Sequence, residues 1–183
     1  MNLKKIKTKL YQVFASPKSY AEYLGVEIGK NSYISTKGFS SEGFLIKIGN
    51  NVRIAKEVLL LTHGGVWSLR KVYPELKKFD YYGKINIGDN VYIGQRAIIM
   101  PGVTIGNNCV IGAASIVNKS IPDNSVVAGN PIKYISSTDD YVHKLLQRDI
   151  KVHGLPHEEK MKFIKNLPED SFIKKGYLTP NSK

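Results

Sequence analysis

The feature of this 183-residue chain that most restricts its fold is a hydrophobic repeat with a period of six. Aliphatic residues occupy the repeating position at Ile87, Ile93, Ile99, Ile105, Ile111 and Val117. A small or branched residue follows four positions after nearly every one of them, and a glycine often follows directly. An amphipathic helix repeats at about 3.6 residues and a strand at about 2, so neither explains this period.

A six-residue unit is typical of a short flat strand followed by a corner, with three units completing one triangular turn. The aliphatic side chain then points inward, and the glycine lets the backbone bend at the corner. Each turn buries its interior only against the next turn, so stacking stabilises the array. The repeat therefore predicts a mainly β fold, a parallel β-helix over residues 26–136. A β-sandwich is disfavoured because turn signals at about 8–12-residue spacing are missing.

Two interruptions of the period indicate loops. Ile34 and Ile48 are 14 residues apart, which is not a multiple of six, and this predicts a bulge at residues 38–43. A larger insertion spans residues 63–84 and carries the single tryptophan of the chain, Trp67. Insertions in repeat proteins lie on one face, which is often the binding face.

The two ends of the chain lack the period and have helical patterns instead. Residues 1–25 have apolar residues at helical spacing with lysines off that face, which predicts a helical cap on the first coil. The alternative for this segment is docking on an anionic membrane surface. Residues 137–183 form the predicted C-terminal helical tail, with helices at about 140–151 and 156–166. From Glu169 onward we expect partial disorder.

Charge and composition restrict the partners. The net charge of +12 raises the question of nucleic acid binding, but the lysines form no stripe with interleaved aromatic residues. A polyanionic small molecule explains the excess charge equally well, so we expect no nucleic acid partner. We also expect a cytoplasmic protein, because there is no signal-like segment, no apolar run of about 18 residues, and a single cysteine.

The candidate for chemistry is His63, which follows a regular strand and opens the insertion. An imidazole there is suited to remove a proton near neutral pH, although an ordinary surface histidine is the alternative. His153 and His157 are four residues apart, but glycine and proline lie between them and a third ligand is missing, so we predict no metal. Cys109 occupies an inward repeat position and is expected to be a core residue.

The sequence resembles the hexapeptide-repeat acetyltransferases. The resemblance covers about residues 26–136, and the runs that carry it are Ile87–Gly94, Met100–Gly106 and Ala128–Pro131. Within that family, the segment Thr62–Arg70 is similar to the bacterial polysaccharide and capsule O-acetyltransferases. The resemblance implies a left-handed parallel β-helix, a homotrimer with active sites between neighbouring subunits, and acetyl-CoA as the acyl donor.

The resemblance also implies roles for donor-binding residues. Gln95 and Ala113 would line the pantetheine arm of CoA, with the Ala113 backbone N–H donating a hydrogen bond to it. Asn118 and Lys119 would follow on the next corner, and Lys133 would contact the CoA phosphates. The family commonly carries an arginine after its Gly-x-Pro element, which would help Lys133, and Ser136 replaces it here.

On the acceptor side, the resemblance implies that His63 is the catalytic base and that the acceptor attacks the thioester directly. Ser35 stands where sugar acetyltransferases carry an asparagine that contacts the acceptor. Trp67 is a candidate to stack on a sugar ring, and Arg70 to bind hydroxyls or an acidic group. The alternative is that Trp67 anchors the loop and Arg70 faces solvent.

These observations predict an O-acetyltransferase that acts on a carbohydrate hydroxyl, such as that of a surface polysaccharide or its precursor. One alternative is an N-acetyltransferase of an amino sugar or a drug-like amine. A second is a non-enzymatic β-helix scaffold, which His63 and its glycine-rich loop disfavour. A β-helix zinc hydratase would need three placed histidines, and only His63 lies within the repeats.

Overall fold

The computed structural model describes residues 3–177 and divides into two compact units, which separate between Asp139 and Asp140. The described part of the chain contains four α-helices: α1 (Leu3–Phe14), α2 (Pro17–Tyr23), α3 (Thr138–Leu146) and α4 (His157–Lys165). Residues 178–183, the end of the segment expected to be partly disordered, lie outside the described residues.

Short strands recur throughout the first unit. They are β1 (Glu27–Ile28), β2 (Tyr33–Ile34), β3 (Gly38–Phe39), β4 (Ile46–Ile48), β5 (Arg53–Ile54), β6 (Leu59–Leu60), β7 (Ile85–Ile87), β8 (Tyr92–Ile93), β9 (Ile98–Ile99), β10 (Thr104–Ile105), β11 (Val110–Ile111), β12 (Ile116–Val117), β13 (Ser125–Ala128) and β14 (Lys133–Ser137).

Within residues 3–177 the strands form three sheets, and the strands from β1 to β12 enter them in rotation. Sheet I contains β1, β4, β7 and β10, sheet II contains β2, β5, β8, β11, β13 and β14, and sheet III contains β3, β6, β9 and β12. Three successive strands thus make one coil, and each strand pairs in parallel with its equivalent in the next coil. The predicted stacking of six-residue units is confirmed at this level.

The interior of the coils follows the repeat. The inward isoleucines are all buried, with exposures of 3% or less, at Ile87, Ile93, Ile99, Ile105 and Ile111. The second inward position is buried as well, including Cys109 and Ser115. Because equivalent positions stack through every coil, these side chains form one continuous hydrophobic cluster.

At the corner between sheets I and II, the repeat glycines were expected to bend the backbone, but they are not the residues with left-handed φ. The residues with left-handed φ there are asparagines, with φ between 53° and 57° at Asn31, Asn51, Asn90, Asn108 and Asn124. From Asn51 to Asn124 their side-chain amides bond from coil to coil at 2.9 Å. The preceding glycines are needed for close approach, because a Cβ on Gly49 would lie 2.6 Å from the carbonyl oxygen of Gly88.

The two ends of the first unit are closed differently. Helix α2 covers the first coil, with Tyr20 and Ala21 buried, and the Ser16 hydroxyl caps its N-terminus. At the other end, β14 pairs antiparallel with β13. In the second unit, α3 ends at Leu146, earlier than the sequence pattern indicated, and Lys151 has a left-handed φ of 53°.

Candidate active site

The corner between sheets III and I brings the two interruptions of the repeat together. The connection from β3 to β4 carries Glu42, and the connection from β6 to β7 carries His63 and the insertion. Because the strands rotate through three sheets, connections three strands apart lie one above the other. The 14-residue gap and the long insertion are therefore neighbours on one corner, one coil apart.

His63 lies at the mouth of the insertion. Its Nε2 atom is 3.6 Å from Oε2 of Glu42, and its side chain is 46% exposed. A β-bridge between His63 and Tyr82 closes the insertion at its base, and the two rings meet edge to face with centroids 6.0 Å apart. The amide of Gly83 donates to the carbonyl of Thr62 at 2.7 Å, which fixes the return of the chain into β7.

Glu42 is held in place behind the imidazole and is itself only 20% exposed. Its Oε2 accepts a hydrogen bond from the buried Thr62 hydroxyl at 2.9 Å, and its Oε1 accepts one from Ser41 at 2.6 Å. Burial raises the pKa of this carboxyl. The hydrogen bonds from Ser41 and Thr62, together with the nearby His63, lower the pKa by more than burial raises it, so the net shift is downward. Glu42 is therefore a carboxylate at neutral pH, aimed at His63.

A cleft of about 360 Å³ opens in front of these two residues. The insertion supplies most of its walls, including Gly65, Trp67 and Tyr82. A Cβ on Gly64 would lie 1.5 Å from the Tyr81 hydroxyl, so glycine is what lets Tyr81 reach the backbone beside His63. Trp67 is 76% exposed, and its ring is free to meet a ligand.

Arg70 ties the insertion together from inside the cleft. Its Nη2 atom donates to Oδ1 of Asp80 at 2.6 Å and to the carbonyl oxygen of Phe79 at 2.8 Å. Its Nε atom is buried and has no hydrogen-bond partner among residues 3–177. Arg70 therefore holds the loop through its Nη2 atom and also lines the cleft, and its contact with an acceptor stays a prediction.

The remaining predicted residues divide between two corners. Asn118 and Lys119 follow β12 on the same corner as His63, in a later coil, and both are exposed. Gln95 and Ala113 follow β8 and β11 on the corner between sheets II and III, where the Ala114 amide donates to the Gln95 carbonyl at 2.8 Å.

Two further predicted residues, Ser35 and Lys133, also belong to the corner between sheets II and III. Ser35 follows β2, and Lys133 pairs with Ala128 at the end of β13. Within one chain, the residues predicted to bind the donor therefore lie on both sides of sheet III. None of the four residues on the far corner lines the cleft of His63.

Sheet III, between these corners, has an apolar outer face. Its outward row is Leu59, Ile98 and Ile116, all partly exposed. The outward row of sheet I is polar and consists of Glu27, Lys47, Asn86 and Thr104. An apolar row on the outside of one sheet is typical of a surface that another subunit covers.

Comparisons with known proteins place these features in a family. A family model described as bacterial transferase hexapeptide (six repeats) matches residues 84–119. Protein CapG of Staphylococcus aureus is 42% identical over 147 residues, which cover 78% of this chain and 84% of CapG. The galactoside O-acetyltransferase of Escherichia coli (strain K12) is 39% identical over 144 residues, covering 77% of this chain and 68% of that enzyme.

The chain belongs to the hexapeptide-repeat acetyltransferases. A solved structure of a galactoside acetyltransferase in complex with coenzyme A agrees, with a TM-score of 0.53 and 28% identity over 76% of this chain and 80% of that one. The predicted family and the predicted enzyme class, an acyltransferase, are thereby confirmed. The roles of the individual site residues stay predictions.

The residue of this acetyltransferase that sequence reasoning missed is Glu42. Its signal was present, because counting strands in threes assigns the 14-residue gap and the insertion to one corner.

Among residues 3–177, no cluster of three or more His, Cys, Asp and Glu side chains could hold a metal ion. Over the same residues, no helix has both the length and the hydropathy needed to cross a bilayer.

Proposed function

We propose that this acetyltransferase moves an acetyl group from acetyl-CoA to a carbohydrate hydroxyl, on a surface polysaccharide or its precursor, with His63 as general base. The observation that carries the proposal is the half-exposed imidazole of His63, backed by the carboxylate of Glu42 and facing an open cleft. The similarity to an enzyme named galactoside O-acetyltransferase supports the acceptor class, and a solved relative with bound coenzyme A supports the donor.

Direct transfer needs a base because an acceptor hydroxyl is a weak nucleophile at neutral pH. His63 takes the hydroxyl proton as the oxygen attacks the thioester carbonyl, and a new C–O bond forms. The C–S bond then breaks, and the imidazolium returns the proton to the leaving CoA thiolate. Glu42 contacts the Nε2 side of the ring, so its negative charge stabilises the imidazolium and leaves the other nitrogen to accept the proton.

We further propose that the coils wind as a left-handed β-helix and that the chain works as a homotrimer. The distribution of predicted donor residues supports a shared site: Gln95, Ala113 and Lys133 are on one corner, and Asn118 and Lys119 are on the other. When the first corner of one subunit faces the second corner of the next, all five surround one CoA. The apolar row of sheet III lies between the corners and would be covered in such a ring.

The acceptor is proposed to enter the cleft against the exposed face of Trp67, since sugar rings stack on aromatic side chains. The positive charge of Arg70 is already neutralised by Asp80, which favours a neutral sugar over an acidic one. Ser35, on the far corner, would reach an acceptor only from a neighbouring subunit. We place the reaction in the cytoplasm because its donor is a CoA thioester.

The proposal is tested by measuring release of the CoA thiol from acetyl-CoA with a panel of sugars and a panel of simple amines. His63→Ala should lower kcat/KM by about 10²–10⁴-fold while CoA binding persists, because a positioned general base contributes that much. His143→Ala, a histidine on α3, should leave the rate unchanged. Turnover of His63→Ala above about a tenth of wild type contradicts the assignment of the base.

The same assay separates the acceptor classes. Acetylation of amines with none of any sugar would overturn the carbohydrate assignment and leave acetyl transfer itself intact. The trimer is tested by sedimentation of the wild type and of Ile98→Lys, which puts a charge in the apolar row of sheet III. We expect three copies for the wild type and smaller species for the variant.

A further inference from the structure

Helix α1 packs on the rest of the first unit through its polar and aromatic side. Tyr11 stacks on Tyr23 of α2 with ring centroids 4.3 Å apart, and the Thr8 hydroxyl lies 3.1 Å from the Tyr23 hydroxyl. Lys37, at the corner after β2, donates its Nζ protons to the carbonyls of Gln12 and Val13 at 2.7 and 3.2 Å. These carbonyls are in the last turn of the helix, where acceptors lack intrahelical partners. The helix is thus fixed in its orientation.

The fixed orientation leaves the apolar stripe of α1 exposed. Leu10, Val13 and Phe14 follow one another at helical spacing on one face, with exposures of 51%, 61% and 80%. An amphipathic helix of a globular protein ordinarily turns this face toward the core. Helix α2 already covers the first coil with Tyr20 and Ala21, so this cap does not use the exposed side chains of Leu10, Val13 and Phe14.

Lysines flank this stripe. Lys7 and Lys9, one on each side of it, are both exposed on α1. The sequence of the helix contains no acidic residue, and the chain as a whole carries a net charge of +12. An apolar stripe between lysines complements a lipid surface with anionic headgroups, which attract the charges and admit the apolar side chains.

We propose that α1 docks this acetyltransferase on an anionic membrane surface, with Leu10, Val13 and Phe14 entering the boundary between headgroups and acyl chains. A second copy of the chain is the less favoured occupant, because the same lysines would face a body of the same positive charge. The docking requires no membrane-spanning segment and does not depend on the identity of the acceptor. Its strength rises with the fraction of anionic lipid and falls with salt.

The test is co-sedimentation of the full-length protein with vesicles of phosphatidylcholine alone or with about a third phosphatidylglycerol. The wild type should bind the anionic vesicles at least tenfold more tightly than the neutral ones at low salt, because several lysines near an anionic surface each add to the attraction. Phe14→Ser should weaken that binding about tenfold. Leu146→Ser, which removes an exposed leucine from α3, should not change it.

Charge is tested separately with Lys9→Gln, which should weaken binding several-fold, and with Lys160→Gln on α4 as its control. Acetyl transfer in solution should be unchanged for Phe14→Ser. Equal binding of the wild type to both kinds of vesicle would overturn the proposal. So would a Phe14→Ser variant that binds vesicles normally, or one that sediments without lipid as a smaller assembly, since the stripe would then be a contact between copies.

Discussion

The stacked coils and the insertion at residues 63–84 are stabilised in opposite ways. In the coils, each inward residue is enclosed by equivalents in the coils above and below, and Ile93, Ile99 and Ile111 are fully buried. The insertion has no buried side chain in either of its 3₁₀ segments, Trp67–Lys71 and Pro74–Leu76. It is held by separate polar links, chiefly those of Arg70 and the bridge at its base.

The difference indicates where stability and specificity reside in this chain. Removing an interior side chain from a coil leaves a cavity that neighbouring coils cannot fill without losing their own register. A change in the insertion, which has no buried side chain in its 3₁₀ segments, is expected to leave the coils intact and to alter the walls of the cleft. Glu42 and His63 lie at the junction of the two regions, where the corner carries the proposed base and the insertion supplies most of the cleft walls.

The largest effect on folding should come from Ile99→Ala in the coil interior. The cavity should lower the free energy of unfolding by about 2–5 kcal/mol, measured by urea denaturation. Val72→Ala, which shortens an exposed side chain of the insertion, should change it by less than about 0.5 kcal/mol. Similar losses of unfolding free energy in the two variants would contradict the proposed difference between the coils and the insertion.

The junction is tested by Glu42→Gln. We expect kcat to fall about tenfold, which corresponds to roughly 1.4 kcal/mol, because the imidazolium formed during transfer loses a facing negative charge. Glu27→Gln, which removes a carboxylate from the outer face of sheet I, is the control and should keep full activity. A variant Glu42→Gln with wild-type kcat would show that Glu42 only supports the corner.

The same variant tests the pH dependence of stability. The folded state lowers the pKa of Glu42, so its carboxylate stabilises the fold at neutral pH, and this contribution is lost as the pH falls from the ordinary glutamate pKa, about 4.3, through the lower folded value. The wild type should exceed Glu42→Gln in stability at pH 7, and the difference should shrink between about pH 5 and pH 3. Urea denaturation at both ends of that range measures it.

A smaller, specific effect is expected for Trp67→Ala in the insertion. Because the side chain is 76% exposed, its loss should leave the melting temperature nearly unchanged and raise the acceptor KM several-fold. Trp67→Phe retains a ring and should recover most of the affinity. A large fall in melting temperature would instead show that Trp67 holds the loop, as Arg70 does.

The smallest effects should come from Lys119→Ala and Lys133→Ala on the outer corners. Each should raise the KM for acetyl-CoA a few-fold with kcat retained, because contacts with the donor phosphates are made equally in the ground and transition states. The effect should be greatest at low ionic strength. Lys160→Ala in α4, which removes the same charge elsewhere, is the control. Normal CoA affinity by calorimetry for both corner variants would contradict the prediction that Lys119 and Lys133 bind CoA.

The sequence alone determined the stacked coils, because a six-residue period has few other solutions and every inward position repeats in register. The sequence also predicted a candidate general base, His63, at the start of the insertion that interrupts this period. The contact between His63 and Glu42 was decided by the tertiary structure, because 21 positions separate them along the chain and only the stacking of corners brings them within 3.6 Å.

The orientation of side chains outside the repeat was likewise decided by tertiary structure. The sequence presented Arg70 as a possible ligand for the acceptor, and only the return of the insertion places Asp80 and the Phe79 carbonyl beside its Nη2 atom. The pattern of α1 predicted an amphipathic helix, but which of its faces meets the body depends on Tyr23 and Lys37, residues of later elements. Local periodicity fixes which residues share a face, and long-range contacts fix what that face meets.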